Sequence, residues 1–265
     1  MTTDALTDYL DAACEAARRG AAVLEDWRGR FQIKEKGRFD LVTDADVGSQ
    51  QAVRTYLAER FPQHGFLGEE EGGSKVRPAA DAPPTWIVDP LDGTTNYAHD
   101  FPFYCVSIGL WASGEMIVGV VLDPRHQELF SAAKGRGAFL NGRRMQTSPA
   151  ARLEEALLST GFPPDLRGQE RTLEWWRYLS LRSQSLRRTG STALNLAYVA
   201  AGRFDGYWAF DNHVWDVAGG VVLVAEAGGV LTNVDGTPFD PFTPDALASN
   251  GPLHPILLEA MRTGP

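Results

Sequence analysis

Between residues 86 and 140 the chain strings together five apolar segments of strand length: WIVD, YCVSIGLW, MIVGVVLD, ELFSAA and GAFL. Turn-forming pairs punctuate them at Ser113-Gly114, Asp123-Pro124 and Asn141-Gly142. That series reads as a meander sheet and makes the first half of the chain strand-rich. Helical periodicity lies in front of it. Leu6, Tyr9, Leu10, Ala13, Ala17, Leu24 and Trp27 recur at three- and four-residue spacing on one face, with Thr3 placed as a cap. A second helix is predicted over 46–60, with Val53, Tyr56 and Leu57 inward and Pro62 ending it. Between the two, FDLVT alternates weakly and reads as a short strand.

Residues 68–84, GEEEGGSKVRPAADAPP, read as a mobile surface loop. On that segment alone, Glu69, Glu70 and Glu71 are a solvated charge run. TSPAARLEEA marks a change of regime, so one domain is expected to divide into halves at 1–147 and 148–265. The second half mixes a short strand, ALLSTGF, with helices in QERTLEWWRYLSLRS, STALNLAYVAAG and DVAGGVVLVAEAGG.

Composition narrows the class. Of 265 residues, 43% are apolar and 22% charged, an ordinary globular balance with ample material for a core. A net charge of -9 repels a phosphate backbone and argues against general nucleic-acid binding. Cys14 and Cys105 form no CxxC pair and read as buried thiols in a reducing compartment. The first 20 residues carry acids where a signal peptide needs bases, and no apolar run approaches the ~18 residues of a membrane span. A cytoplasmic chain without a membrane segment is expected.

The chemistry concentrates in WIVDPLDGTTNYAHDFPF, residues 86–103. WIV reads as a buried strand with Asp89 at its carboxyl end and Pro90 interrupting the ladder. Asp92-Gly93 then turns the chain, and Thr94 or Thr95 is placed to cap a helix. Two carboxylates in one corner raise each other's pKa unless a cation lies between them. Oxygen-only ligands suit Mg²⁺ or Mn²⁺ rather than zinc. Backbone N–H groups of Gly93, Thr94 and Thr95 at the helix start would face an anion. A metal beside such amides suits phosphate-ester hydrolysis. The alternative is an Asx-turn helix cap without metal. The five histidines, at 64, 99, 126, 213 and 254, are scattered singly and read as surface or packing residues.

DPLDGTTN, with DLVTDAD and FLGEE upstream and RTGSTALNLAYVAAGRFDG and WDVAGGVVLVAEAGG downstream, closely resembles the inositol monophosphatase family. These are Mg²⁺-dependent, lithium-sensitive phosphomonoesterases. The resemblance spans nearly the whole chain. It implies an α/β fold, a layered αβαβα sandwich, with a homodimer as the expected assembly. It implies metal ligation by Glu69, Asp89, Asp92, Asp216 and the Leu91 carbonyl, for about two to three ions. It gives Thr94 and Asp46 the orientation of the attacking water, beside the Glu69-bound metal. Gly93 and Thr94 amides would hold phosphate. Asp92, Gly190, Ser191 and Thr192 would meet the substrate's hydroxyl-bearing side.

One position departs from the pattern. Inositol-specific members carry a glutamate seven residues before the WD aspartate, where this chain has Ala209. Asp211 is a candidate replacement. The resemblance therefore implies hydrolysis of an inositol phosphate or related small polyol phosphate, with histidinol phosphate or broad sugar-phosphate activity as alternatives. A non-catalytic partner of another macromolecule on the same fold is the reading from a different class.

Overall fold

A computed structural model describes residues 3–38, 40–71 and 77–264; the side chains of Thr3, Asp4 and Lys36 lie outside the description, and so does the expected Thr3 cap. Helix α1 (Thr3–Trp27) leads to a hairpin of β1 (Ile33–Gly37) and β2 (Asp40–Thr43), then to helix α2 (Asp44–Arg60). Strands β3 (Gly65–Gly68), β4 (Thr85–Asp92), β5 (Cys105–Ala112), β6 (Glu115–Asp123), β7 (Glu128–Ala133), β8 (Gly137–Leu140) and β9 (Arg143–Met145) form a seven-stranded sheet in that order. Its pairs are antiparallel except β3 with β4. A short helix, α3 (Thr94–Ala98), leaves the end of β4.

The rest of the chain builds a second sheet. Strands β10 (Leu157–Thr160), β11 (Ser185–Arg188), β12 (Gly206–Ala209), β13 (Gly229–Thr232) and β14 (Ala246–Asn250) assemble in the order β11-β10-β12-β14-β13. They alternate with helices α4 (Glu170–Ser180), α5 (Thr192–Ala200), α6 (Val214–Glu226) and α7 (His254–Thr263). Helices α1 and α2 cover one face of the seven-stranded sheet, and α5 and α6 fill the space between the sheets. Helices α4 and α7 pack with the five-stranded sheet around a third apolar cluster. This is the layered αβαβα sandwich expected from the sequence.

The unbroken apolar character of β5 follows from this layering, because both of its faces are covered and all eight residues are buried. Val106, Ile108 and Leu110 face α1 and α2, while Cys105 packs toward α5 and α6. Gly109 and Gly119 lie under α6. A methyl group on Gly109 would stand 2.7 Å from Ala218 Cβ, and one on Gly119 would collide with the Gly219 carbonyl oxygen. The missing side chains let α6 lie almost on the backbone of the sheet, which fixes the height of its first turn and of Asp216 within it. Gly119→Ala is expected to cost about 1–3 kcal/mol by overpacking. In a thermal melt that is a fall of about 2–4 °C per kcal/mol at this chain length. An unchanged melting temperature would show that α6 can slide freely.

Some local expectations change. Pro90 does not end the ladder: β4 runs on to Asp92, and its register against β5 shifts between Asp89↔Ser107 and Asp92↔Cys105. The extra residue is a bulge, where a strand tolerates proline because no N–H is owed there. Neither Thr94 nor Thr95 caps α3; Gly93 holds that position at φ 100°, with no side-chain cap bond. Trp27, assigned to the inward face, is 36% exposed, because α1 ends there beyond the sheet it covers. FDLVT is a strand from Asp40 onward, and Phe39 lies outside the described residues. Residues 72–76 of the expected surface loop also lie outside them.

Candidate active site

Each acid is delivered by a different element and pinned by a local donor. The β4 bulge presents Asp89 and Asp92. Asp89 is 2% exposed, and its Oδ1 accepts the Leu91 N–H at 3.1 Å. Asp92 Oδ2 accepts from Ser191 Oγ at 2.7 Å and from Ala193 N–H at 2.6 Å. Both donors sit at the start of α5, so the positive end of a helix from the second half holds an acid of the first. The other oxygen of each carboxylate stays out of these bonds. On α6, Asp216 Oδ2 accepts the His213 N–H at 2.7 Å, as a third-position acid does at a helix start.

Glu69 opens a 3₁₀ turn directly after β3. The triplet it begins is not a solvated run. Gln50 Oε1, from α2, accepts the Glu70 N–H at 3.0 Å, and Arg54 pairs with Glu71. These ties from α2 fasten the turn and leave Glu69 in the cleft.

Asp46 divides its two oxygens between structure and site. Oδ2 accepts Thr43 N–H at 2.8 Å and Thr43 Oγ1–H at 2.5 Å, closing the capping box of α2. Oδ1 faces Thr94 Oγ1 at 3.1 Å. Thr94 Oγ1 also lies 3.1 Å from the Leu91 carbonyl. A hydroxyl has one proton for two acceptors, so it can switch its donated bond between them while keeping lone pairs available.

The electrostatics follow from this crowding. Burial raises Asp89 well above the ordinary aspartate value, and Glu69, Asp92 and Asp216 push it further against the lowering effect of the Leu91 N–H. Asp92 is pushed up to about 6 by burial, against the lowering effect of the Ser191, Ala193 and Thr192 hydrogen bonds. Asp46 is pushed up to about 6 by burial, against its bonds to Thr43 and Thr94.

A cleft of about 710 Å³ opens over this cluster, within the range of small-molecule sites. Glu69, Asp92, Gly93, Thr94, Gly190, Ser191, Thr192, Ala209, Asp211 and Asp216 line it. Asp46, Asp89 and Leu91 lie buried behind that wall. Among the described residues no group of three or more His, Cys, Asp or Glu side chains stands as placed to hold a metal ion; the acids are spread along the cleft and behind it. The donor set is all oxygen, which fits a hard divalent cation. Ala209 is buried in β12 with its methyl toward Gly161, and Asp211 is exposed at φ 65°.

Sequence reasoning passed over two residues. Asn96, the last letter of DGTTN, donates through Nδ2 to the Phe103 carbonyl at 2.7 Å and the Thr189 carbonyl at 2.8 Å. It thus ties the two walls together beside Gly190, whose φ of 89° brings its backbone against that amide. Its signal was its place directly after the aspartate turn. Arg188, two residues before Gly190, also lines the cleft, and a lone arginine gave no pattern to find.

The family model described as the inositol monophosphatase family matches residues 5–264. An inositol-1-monophosphatase of Synechocystis sp. is 43% identical over 263 residues, covering 98% of this chain and 91% of the relative. A Nus factor SuhB of Pseudomonas aeruginosa is 42% identical over 210 residues, 78% of this chain and 77% of the relative. Among solved structures, an inositol monophosphatase from Anabaena (Nostoc) sp. superposes with a TM-score of 0.88 at 41% identity, over 98% of this chain and 97% of the other. Together with the site geometry, these likenesses show that the chain belongs to the inositol monophosphatase family of phosphomonoester hydrolases.

Proposed function

We propose that the protein hydrolyses an inositol phosphate, or a related small polyol or sugar phosphate, with Mg²⁺ as cofactor. The observation that carries this reading is buried Asp89 pressed by Glu69, Asp92 and Asp216, with only the Leu91 N–H set against them among the main influences of the described residues. Such a set calls for a divalent cation at neutral pH. Glu69, Asp89, Asp92, Asp216 and the Leu91 carbonyl would hold about two to three ions, with Mn²⁺ as a substitute. When bound, the metal supplies a water of lowered pKa and neutralises charge on the phosphate and leaving oxygen. The chain's own groups orient the reactants. Gly93 and Thr94 amides hold phosphate, Thr94 with Asp46 directs the attacking water for in-line displacement, and Gly190, Ser191 and Thr192 meet the alcohol. No covalent enzyme intermediate is needed.

The test is phosphate release from a panel of esters, with and without Mg²⁺. Release that persists in EDTA would overturn the metal reading. Within the panel, Ala209 bears on substrate choice. A methyl group cannot accept a hydroxyl proton, and an acceptor at this buried position is worth about 1–3 kcal/mol of discrimination. Ala209→Glu is expected to raise kcat/KM for inositol 1-phosphate over glycerol 2-phosphate about tenfold or more. An unmoved ratio would assign recognition elsewhere, with Asp211 first. Histidinol phosphate and other sugar phosphates are the alternative substrates.

We read the chain as one domain of two halves, 1–147 and 148–265, acting as a homodimer that Li⁺ inhibits. A cytoplasmic location is supported by two buried free thiols, Cys14 and Cys105. No described helix is long and apolar enough to cross a membrane. The likeness to a Nus factor supports a second reading, a macromolecular partner role on the same fold, which phosphate release would show not to be the only one.

A further inference from the structure

Among the described residues lining the cleft, Arg188 is the one lysine or arginine, set against Asp40, Glu69, Asp92, Asp211 and Asp216. It ends β11 with its side chain exposed to the cleft. Its guanidinium carbon stands 5.8 Å from the ring centre of Phe162, another lining residue. Among other arginines of this half, Arg167 pairs with Asp165, Arg171 with Asp245 and Arg203 with Glu128, while Arg182 and Arg187 meet carbonyl and hydroxyl oxygens away from the cleft. Among the described residues no acid pairs with Arg188, and burial against the cleft wall lowers its basicity.

A guanidinium that meets a ring and no carboxylate keeps its planar fork of donors for a ligand. Arg188 stands two positions before Gly190, at most about 7 Å away between Cα atoms. It lines the same cleft as Gly93 and Thr94, so a substrate whose phosphate lies over those two can turn another group toward the guanidinium. A single guanidinium, with no second lysine or arginine among the described residues lining the cleft, balances one negative charge. That matches a carboxylate better than a second phosphate dianion.

On the phosphatase reading above, we propose that Arg188 is a specificity-determining residue that binds a carboxylate on the substrate, so that phosphate esters of hydroxy acids are preferred over esters of neutral polyols of the same size. The matched pair is 2-phosphoglycerate and glycerol 2-phosphate, which differ by one carboxylate in place of a hydroxymethyl group. Wild type, Arg188→Gln and Arg188→Lys are assayed as full chains with Mg²⁺. The wild-type ratio of kcat/KM is expected to favour 2-phosphoglycerate by about tenfold or more. Arg188→Gln is expected to lower that ratio about tenfold, through KM for 2-phosphoglycerate rather than kcat, and Arg188→Lys to recover part of it. A ratio in Arg188→Gln within about twofold of wild type, or a wild type that prefers the neutral ester, overturns this proposal alone. Hydrolysis of neither ester overturns it alone where inositol 1-phosphate is still hydrolysed, and together with the phosphatase reading where that ester is not hydrolysed either.

Discussion

Asp89→Asn is expected to lose activity by a factor on the order of 10³ and, in EDTA, to melt at a higher temperature than the wild type. The loss follows from removing a ligand worth several kcal/mol of charge stabilisation, at about 1.4 kcal/mol per tenfold. The gain in stability follows from the same side chain. Asp89 is buried, its proton affinity is raised, and three further acids face it. An asparagine there carries no charge, and its carbonyl oxygen can still accept the Leu91 N–H. The folded chain binds a proton at Asp89 more tightly than the unfolded chain, whose aspartates titrate near 3.8. That contribution is fully present below the unfolded value and fades as pH rises above it. The Asp89 contribution to the stability of the metal-free wild type is therefore expected to fall from about pH 4 upward, and the gap from Asp89→Asn to widen over the same range. Saturating Mg²⁺ should reverse the order, because the cation binds the folded wild type and not its unfolded chain. The measurement is a set of melting curves at several pH values, with EDTA and with Mg²⁺. A variant that melts lower than wild type in EDTA at neutral pH would mean that Asp89 is held by something other than a missing cation.

Thr94→Ala is expected to lower kcat about 10²-fold, the usual scale for a positioned proton-transfer group. The hydroxyl lies 3.1 Å from both Asp46 Oδ1 and the Leu91 carbonyl, and it caps no helix. Its loss therefore removes an orienting group and not a structural bond of α3. Thr94→Ser keeps the oxygen and should keep most of the rate. Mg²⁺ titration of Thr94→Ala should give nearly the wild-type midpoint. A wild-type kcat in the alanine variant would leave the hydroxyl as a spacer only.

Much of this architecture was legible because apolar patterning reports burial directly. The runs in β4, β5 and β6 are unbroken where both faces are covered, so their strand character survived any ambiguity of neighbour. Helices α5 and α6 were visible for the same reason. The hairpin strand β1, reading IKEKG, was not, since an exposed polar strand carries no such signature. Pro90 misled because proline forbids a ladder bond but not a bulge. Asp89 and Asp92 stood out through the neighbouring proline and glycine, and Asp216 through the resemblance of its WD motif to the family. Gln50, Asn96 and Arg188 act through partners distant in sequence, and one chain read alone holds no trace of those pairings.

Asn96 has a mechanical implication. One side-chain amide donates to a carbonyl on each wall of the cleft, and the start of α5 reaches across to hold Asp92. The cleft is thereby a fixed jaw and not a hinge. Its grip is set before anything enters, which spares the ordering entropy that a closing domain must meet at each turnover. Exchange of substrate and product then falls to the rim, where the β1–β2 hairpin places Asp40 and Leu41 and the segment after β10 places Phe162, Pro163 and Pro164. Across that mouth Arg38 reaches to within 3.9 Å of Asp165, a contact between exposed groups weak enough to break at thermal cost each time a molecule passes.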